Sequence, residues 1–155
     1  MNQQRLEEYV DSETIQRLSR VRRVHRISGT ETLRRIIPIG WSMLEYEAQH
    51  TQLYITSERW KWFKRKTIRE PISFHEAELP ETRLRIKPIR VNINEQSEQM
   101  LSEMLNRFDG KYSLSDLLIW LADVGTTVIL AEHQGSYISW WNQELQSYER
   151  VVFRP

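Results

Sequence analysis

The chain has 155 residues, no cysteine, and 39% apolar against 28% charged residues. That length fits one domain or two small ones, and the lack of thiols excludes disulfides, thiolate catalysis and thiolate metal sites. The formal net charge of +1 conceals a division: residues 1–90 hold 18 Lys/Arg against 12 Asp/Glu and residues 91–155 hold 4 against 9, which points to an anionic partner or to charge-matched packing between subunits.

Residues 3–24 read as a helix, with Leu6, Val10, Leu18 and Val21 near helical spacing and Asp11 or Ser12 offering a second start. Residues 24–27 have the composition of a short strand, and Ser28-Gly29-Thr30 is a turn signal. A short helix is expected over residues 31–37, stopped by Pro38 and Gly40. Ser42 with Glu45 forms a capping box, so residues 43–50 lean to helix, whereas Leu53-Tyr54-Ile55-Thr56 has strand composition. Residues 57–66 look helical again, with Ser57 as cap and Trp60 and Phe63 on one face. A loop-like stretch punctuated by Pro71 and Pro80 leads to alternating apolar residues over 83–93, where Pro88 interrupts the register and marks an edge strand or two short strands.

Beyond Asn94 the pattern becomes amphipathic helix. Asn94 caps a helix with Met100, Leu101, Met104, Leu105 and Phe108 on one face, ended by Asp109-Gly110. Ser113 caps another, closed by Gly125. Residues 126–131 form a β-branched run, Ser136 opens a last helix with Ile138, Trp141, Leu145 and Tyr148 inward, and Val151-Val152-Phe153 can pair as a strand. No internal repeat or low-complexity linker is evident. No apolar run reaches the roughly 20 residues of a membrane span, and the start lacks the apolar stretch of a secretory signal. A cytoplasmic or assembly-associated product is expected.

Two basic motifs stand out. In Arg59-Trp60-Lys61-Trp62-Phe63-Lys64-Arg65-Lys66 the cations suit phosphates and the aromatics suit base stacking; the plainer alternative is an amphipathic helix with Trp60 and Phe63 in the core. The second motif is the cluster Arg17, Arg20, Arg22, Arg23 and Arg26, with Arg34 and Arg35 following, where Arg22 and Arg26 fall four apart on one helical face. The four histidines are isolated and show no zinc spacing, no phosphate-cradling glycine loop or nucleophile elbow occurs, and no catalytic constellation emerges.

Residues 24–36, running from Val24 through Ser28-Gly29-Thr30 to Leu33 and Ile36, resemble the opening of a LysM-like domain, and Trp60, Phe63, Ile68, Pro71 and residues 82–88 resemble its second helix and closing strand. The resemblance spans residues 24–88 and implies a β-α-α-β unit with Leu33, Ile36, Trp60 and Phe63 covering one face. Such modules occur in cell-wall-binding proteins and as connectors in baseplates of phage tails and contractile injection systems. The link over residues 37–56 is longer than usual and a glycine is missing near Glu81-Thr82, which argues against glycan binding.

The expected fold class is α+β: an N-terminal basic helix over residues 1–23, a small basic β-α-α-β-like module over 24–91, and an acidic, mainly helical part over 92–155. The expected function is a non-enzymatic structural or assembly protein, such as a tail or baseplate component, working through other protein subunits without cofactor or metal. The alternative is a nucleic-acid-binding accessory protein. Either way the partner-binding residues are Arg20, Arg22, Arg23, Arg26, Lys61, Trp62, Lys64, Arg65, Lys66 and Trp140.

Overall fold

The structure, a computed structural model, describes residues 3–73 and 84–153. The architecture is α+β. In chain order the elements are β1 (Gln3–Val10), α1 (Ser12–His25), α2 (Gly29–Ala48), β2 (Leu53–Lys61), β3 (Lys64–Ile72), β4 (Lys87–Asn94), α3 (Glu95–Arg107), α4 (Leu114–His133), β5 (Tyr137–Asn142) and β6 (Ser147–Arg150). Among the described residues, β1 and β4 form an antiparallel ribbon, and the other four strands form a sheet ordered β3-β2-β5-β6.

This order is one unit used twice. A strand leads into a helix pair and then into a hairpin, first as β1-α1-α2-β2-β3 and again as β4-α3-α4-β5-β6. The ribbon pairs the first strand of each unit, and the sheet pairs β2 of one with β5 of the other. The caps correspond: Asp11 precedes α1 and Asn94 precedes α3, while Ser28 precedes α2 and Ser113 precedes α4. Both long helices have 20 residues, and Gly40 and Gly125 occupy the same position within them. The helices are exchanged between units, α1 packing on α4 and α3 on α2, with α2 against α4 at the centre. Leu33, Ile36, Ile37 and Met43 of α2 and Leu117, Leu118, Leu121 and Val128 of α4 supply the middle of one continuous core. An internal repeat is therefore present, and all three expected segments contribute to this core.

Several elements differ from the sequence reading. Residues 3–10 form β1 rather than helix, because Leu6 and Val10 lie on one face of a strand as well as on one face of a helix. Residues 24–27 form no strand: α1 runs to His25 and is closed by Arg26 in the left-handed conformation. Arg22 and Arg26 therefore do not share a helical face. The helix expected to stop at Pro38 continues to Ala48 as α2. Proline there removes one donor, but Pro38 is buried in the core, and the two short helices expected on either side are one.

Residues 57–66 are the arms and turn of a β2–β3 hairpin, with Lys61 paired to Lys64 across Trp62 and Phe63. The anticipated β-α-α-β unit is thus not the arrangement of residues 24–88, and Trp60 and Phe63 lie outside the core, being 76% and 100% exposed.

In the rear part, α4 does not end at Gly125 and residues 126–131 continue it rather than forming a strand. A Cβ at Gly125 would sit 2.6 Å from the Ile36 Cβ, so this glycine permits the close crossing of α2 and α4. By length and composition α4 is also apolar enough to cross a membrane; here it is the central core helix. The expected last helix is the β5–β6 hairpin, and Val151 adds one bond, its N–H donating to the Ile138 carbonyl at 2.8 Å.

Candidate nucleic-acid interface

The ribbon owes its two faces to strand alternation. Leu6, Val10, Ile89 and Ile93 are buried against the helices. The intervening residues form the outward face, where the register sets Arg5 opposite Asn92, Glu7 opposite Arg90 and Tyr9 opposite Pro88. Arg5, Glu7, Tyr9, Arg90 and Asn92 are all exposed. Arg5 Nε lies 3.1 Å from the Glu7 carboxylate, both ends open to solvent. Pro88 is accommodated because each strand of a two-stranded ribbon has a free edge.

The ribbon rests on the N-terminal ends of α2 and α4. Ser28 Oγ accepts from the Glu31 N–H at 3.1 Å, and the ideal Cβ of Gly29 would meet Val91 of β4 at 3.5 Å and the Arg22 guanidinium at 3.9 Å. On the other side Ser113 and Asp116 close a reciprocal capping box, and the Ser115 hydroxyl donates to the Tyr9 carbonyl at 2.5 Å. The two flanks differ in charge. Arg22 and Arg90 line the groove beside Gly29, and Arg34, 3.8 Å from the Glu31 carboxylate, joins Asn92 in the next one. The groove beside Leu114 instead holds Glu98 with Arg5 and Glu7.

The expected partner-binding residues scatter. Arg20, Arg22, Arg23 and Arg26 are exposed on or just after α1, and Arg22 reaches the ribbon's flank. Lys64, Arg65 and Lys66 are exposed on β3, Lys61 ends β2, and Trp62 is 84% exposed at the turn. Trp140 belongs elsewhere: it faces the core, half-buried beside the Tyr46 ring at 6.2 Å. Its neighbour Trp141 is the exposed one, as strand alternation requires.

The outward residues of the ribbon were not singled out from sequence. The available signal was the pairing of Leu6 with Val10 and of Ile89 with Ile93 at equal spacing, each framing polar residues. A separate cleft of about 510 Å³ lies where α1, α2 and α4 converge, with His25, Arg35, Glu132 and His133 in its wall. The two imidazoles meet edge to face at 5.1 Å. Among the described residues no cluster of three His, Asp or Glu side chains is placed to hold a metal ion.

With this geometry in hand, comparison with protein-family models, with curated proteins and with solved structures finds no match. The reading of the site rests on its own chemistry.

Proposed function

We propose that the protein binds duplex DNA by laying the β1–β4 ribbon in the major groove. A two-stranded ribbon fits that groove, and some DNA-binding proteins read bases in this way. The observation that carries the reading is the outward face itself: Arg5, Arg90 and Asn92 are exposed on a ribbon whose opposite face is core. Arginine matches the acceptor pair of guanine, and asparagine matches the donor and acceptor of adenine. Glu7 can accept from the cytosine amino group. Arg22 and Arg34 at the basic flank are positioned for phosphates, as is the N-terminus of α2 between them.

The basic half thus meets nucleic acid, though through a different surface from the one the sequence motifs suggested. The two halves also pair within the molecule: Arg17 of α1 meets Asp123 of α4 at 3.2 Å, and Arg107, the last residue of α3, pairs with Glu45 of α2.

The test is selection of duplexes from a random pool, followed by anisotropy titration of the enriched sequence. Wild type should bind with affinity that falls steeply with salt. Arg90→Ala and Asn92→Ala should each weaken the selected site by about 1–3 kcal/mol and relax preference at one base pair. A pool from which nothing is enriched, or variants that bind as wild type does, would overturn the reading. A component of a larger protein assembly would instead co-sediment with protein partners and bind no duplex.

A further inference from the structure

The two units differ most in their hairpins. In the second unit, β5 and β6 stay within the sheet. In the first, β2 contacts β5 only over Leu53–Thr56, yet β2 and β3 continue pairing to Lys61 and Lys64. The excess is an arm about 17 Å long. It holds Trp60, Trp62 and Phe63 exposed, with exposed Arg65 on the face of Trp60 and exposed Arg59, Lys64 and Lys66 on the other face of the arm. An isolated two-stranded hairpin gains little stability in water, so these side chains are not explained by folding.

The turn is also costly. Trp62 and Phe63 have φ of 55° and 63°, the pair of left-handed conformations that a two-residue hairpin turn requires and that Asn-Gly satisfies best. Bulky residues there are strained, and these two project fully into solvent.

The arm's aromatic face runs on into the sheet. By register, Trp60 and Arg65 share a face with Arg69, Tyr54, Tyr137, Trp141 and Tyr148. Arg69 stacks on Tyr148 with its guanidinium carbon 3.7 Å from the ring centre, and Trp141 meets the same ring at 4.9 Å. Arg150 lies over Tyr137 at 5.4 Å. Glu58, an acid on this face, is paired with Arg65. Alternating rings and guanidinium groups over an arm and the adjoining sheet are what single-stranded nucleic acid needs, since bases stack on rings and cations follow the backbone. A hairpin made to enter an anionic bilayer would need the apical rings and a cationic collar but not the track across the sheet.

We propose that the β2–β3 arm and the outer face of the β3-β2-β5-β6 sheet form a second nucleic-acid site, for an unpaired strand. It does not depend on the ribbon: α2 and α4 meet the ribbon at their N-terminal ends and run into β2 and β5 at the other.

The test titrates a fluorescein-labelled thymidine oligonucleotide against the full chain. The variant Trp62→Asn with Phe63→Gly installs the preferred turn and should fold at least as well as wild type, which circular dichroism checks. It should lose affinity on the order of tenfold per ring removed, as should Trp141→Ala. The ribbon variant Arg90→Ala with Asn92→Ala should bind the oligonucleotide as wild type does, even if no duplex is ever selected. Undiminished binding by the turn variant would overturn the proposal. So would equal loss in the ribbon variant, or binding to phosphatidylcholine–phosphatidylserine vesicles without binding to the oligonucleotide.

Discussion

His25 ends α1 and faces His133 of α4 and Arg35 of α2, with Glu31 and Glu132 in the same cleft. Burial holds its imidazole below the ordinary value, and the nearby His133 and Arg35 add to the effect. Because its native pKa is depressed, the unfolded chain takes up this proton at higher pH than the native protein does. Stability should therefore fall as pH drops through the imidazole range and level off once the native ring is also charged. Glu132 acts in the opposite sense: burial raises its carboxyl, with Arg150 opposing, so protonating it favours the native state. Thermal melts between about pH 7.5 and pH 5.5 should show the histidine-linked decline, and His25→Asn should flatten it. Gly125 is a second residue-scale constraint. Alanine there would drive a methyl into Ile36 and should lower stability by about 1–3 kcal/mol, measured by urea denaturation. Single residues were also where the sequence was least legible. Pro38 and Gly125 both read as helix stops, yet each lies inside a buried helix where tertiary packing outweighs local preference.

At the level of elements, legibility followed the uniqueness of the spacing. The helices after Asn94 and Ser113 were readable because their caps are unambiguous; the Asn94 side chain accepts from the Ser97 N–H at 2.8 Å. The strands were not. Leu6 and Val10 are four apart, a separation that suits one face of either a helix or a strand, and the same ambiguity hid the ribbon. Trp60 and Phe63 suggested a helix although Trp60 and Trp62 alternate equally well. In β5–β6, Ile138, Trp141, Leu145 and Tyr148 mimic a helical face while a turn separates them. Arg20, Arg22, Arg23 and Arg26 are exposed, whereas Arg17 is half-buried between Glu13 and Asp123, and the place of Arg22 on the ribbon's flank depends on Gly29 lying beside Val91, far along the chain, which no local pattern encodes. At this scale the ribbon should be the element most sensitive to backbone change. Val91→Pro would remove a backbone donor from the middle of β4, opposite Leu6, and duplex binding should be lost while helical circular dichroism persists.

The whole molecule is built from interleaved halves. Since α1 packs on α4 and α3 on α2, neither unit keeps its own core when the other is removed. Denaturation followed by far-ultraviolet and near-ultraviolet circular dichroism should give one coincident transition; two separated transitions would contradict the shared core. The acidic and basic halves correspond to the two units, and their divergence in charge and side chain is why the repeat escaped notice: caps and helix lengths agree while most surface residues do not. Covalent connection of the two ribbon strands has one more result. A reader assembled from separate copies dissolves on dilution, and its occupancy then climbs with a power of its abundance. Both strands arrive on one polypeptide, so if the ribbon reads duplex as proposed, occupancy of a site below saturation should track copy number in direct proportion. The unlike strands would then also give the bound molecule a left and a right, and hence a direction along the double helix.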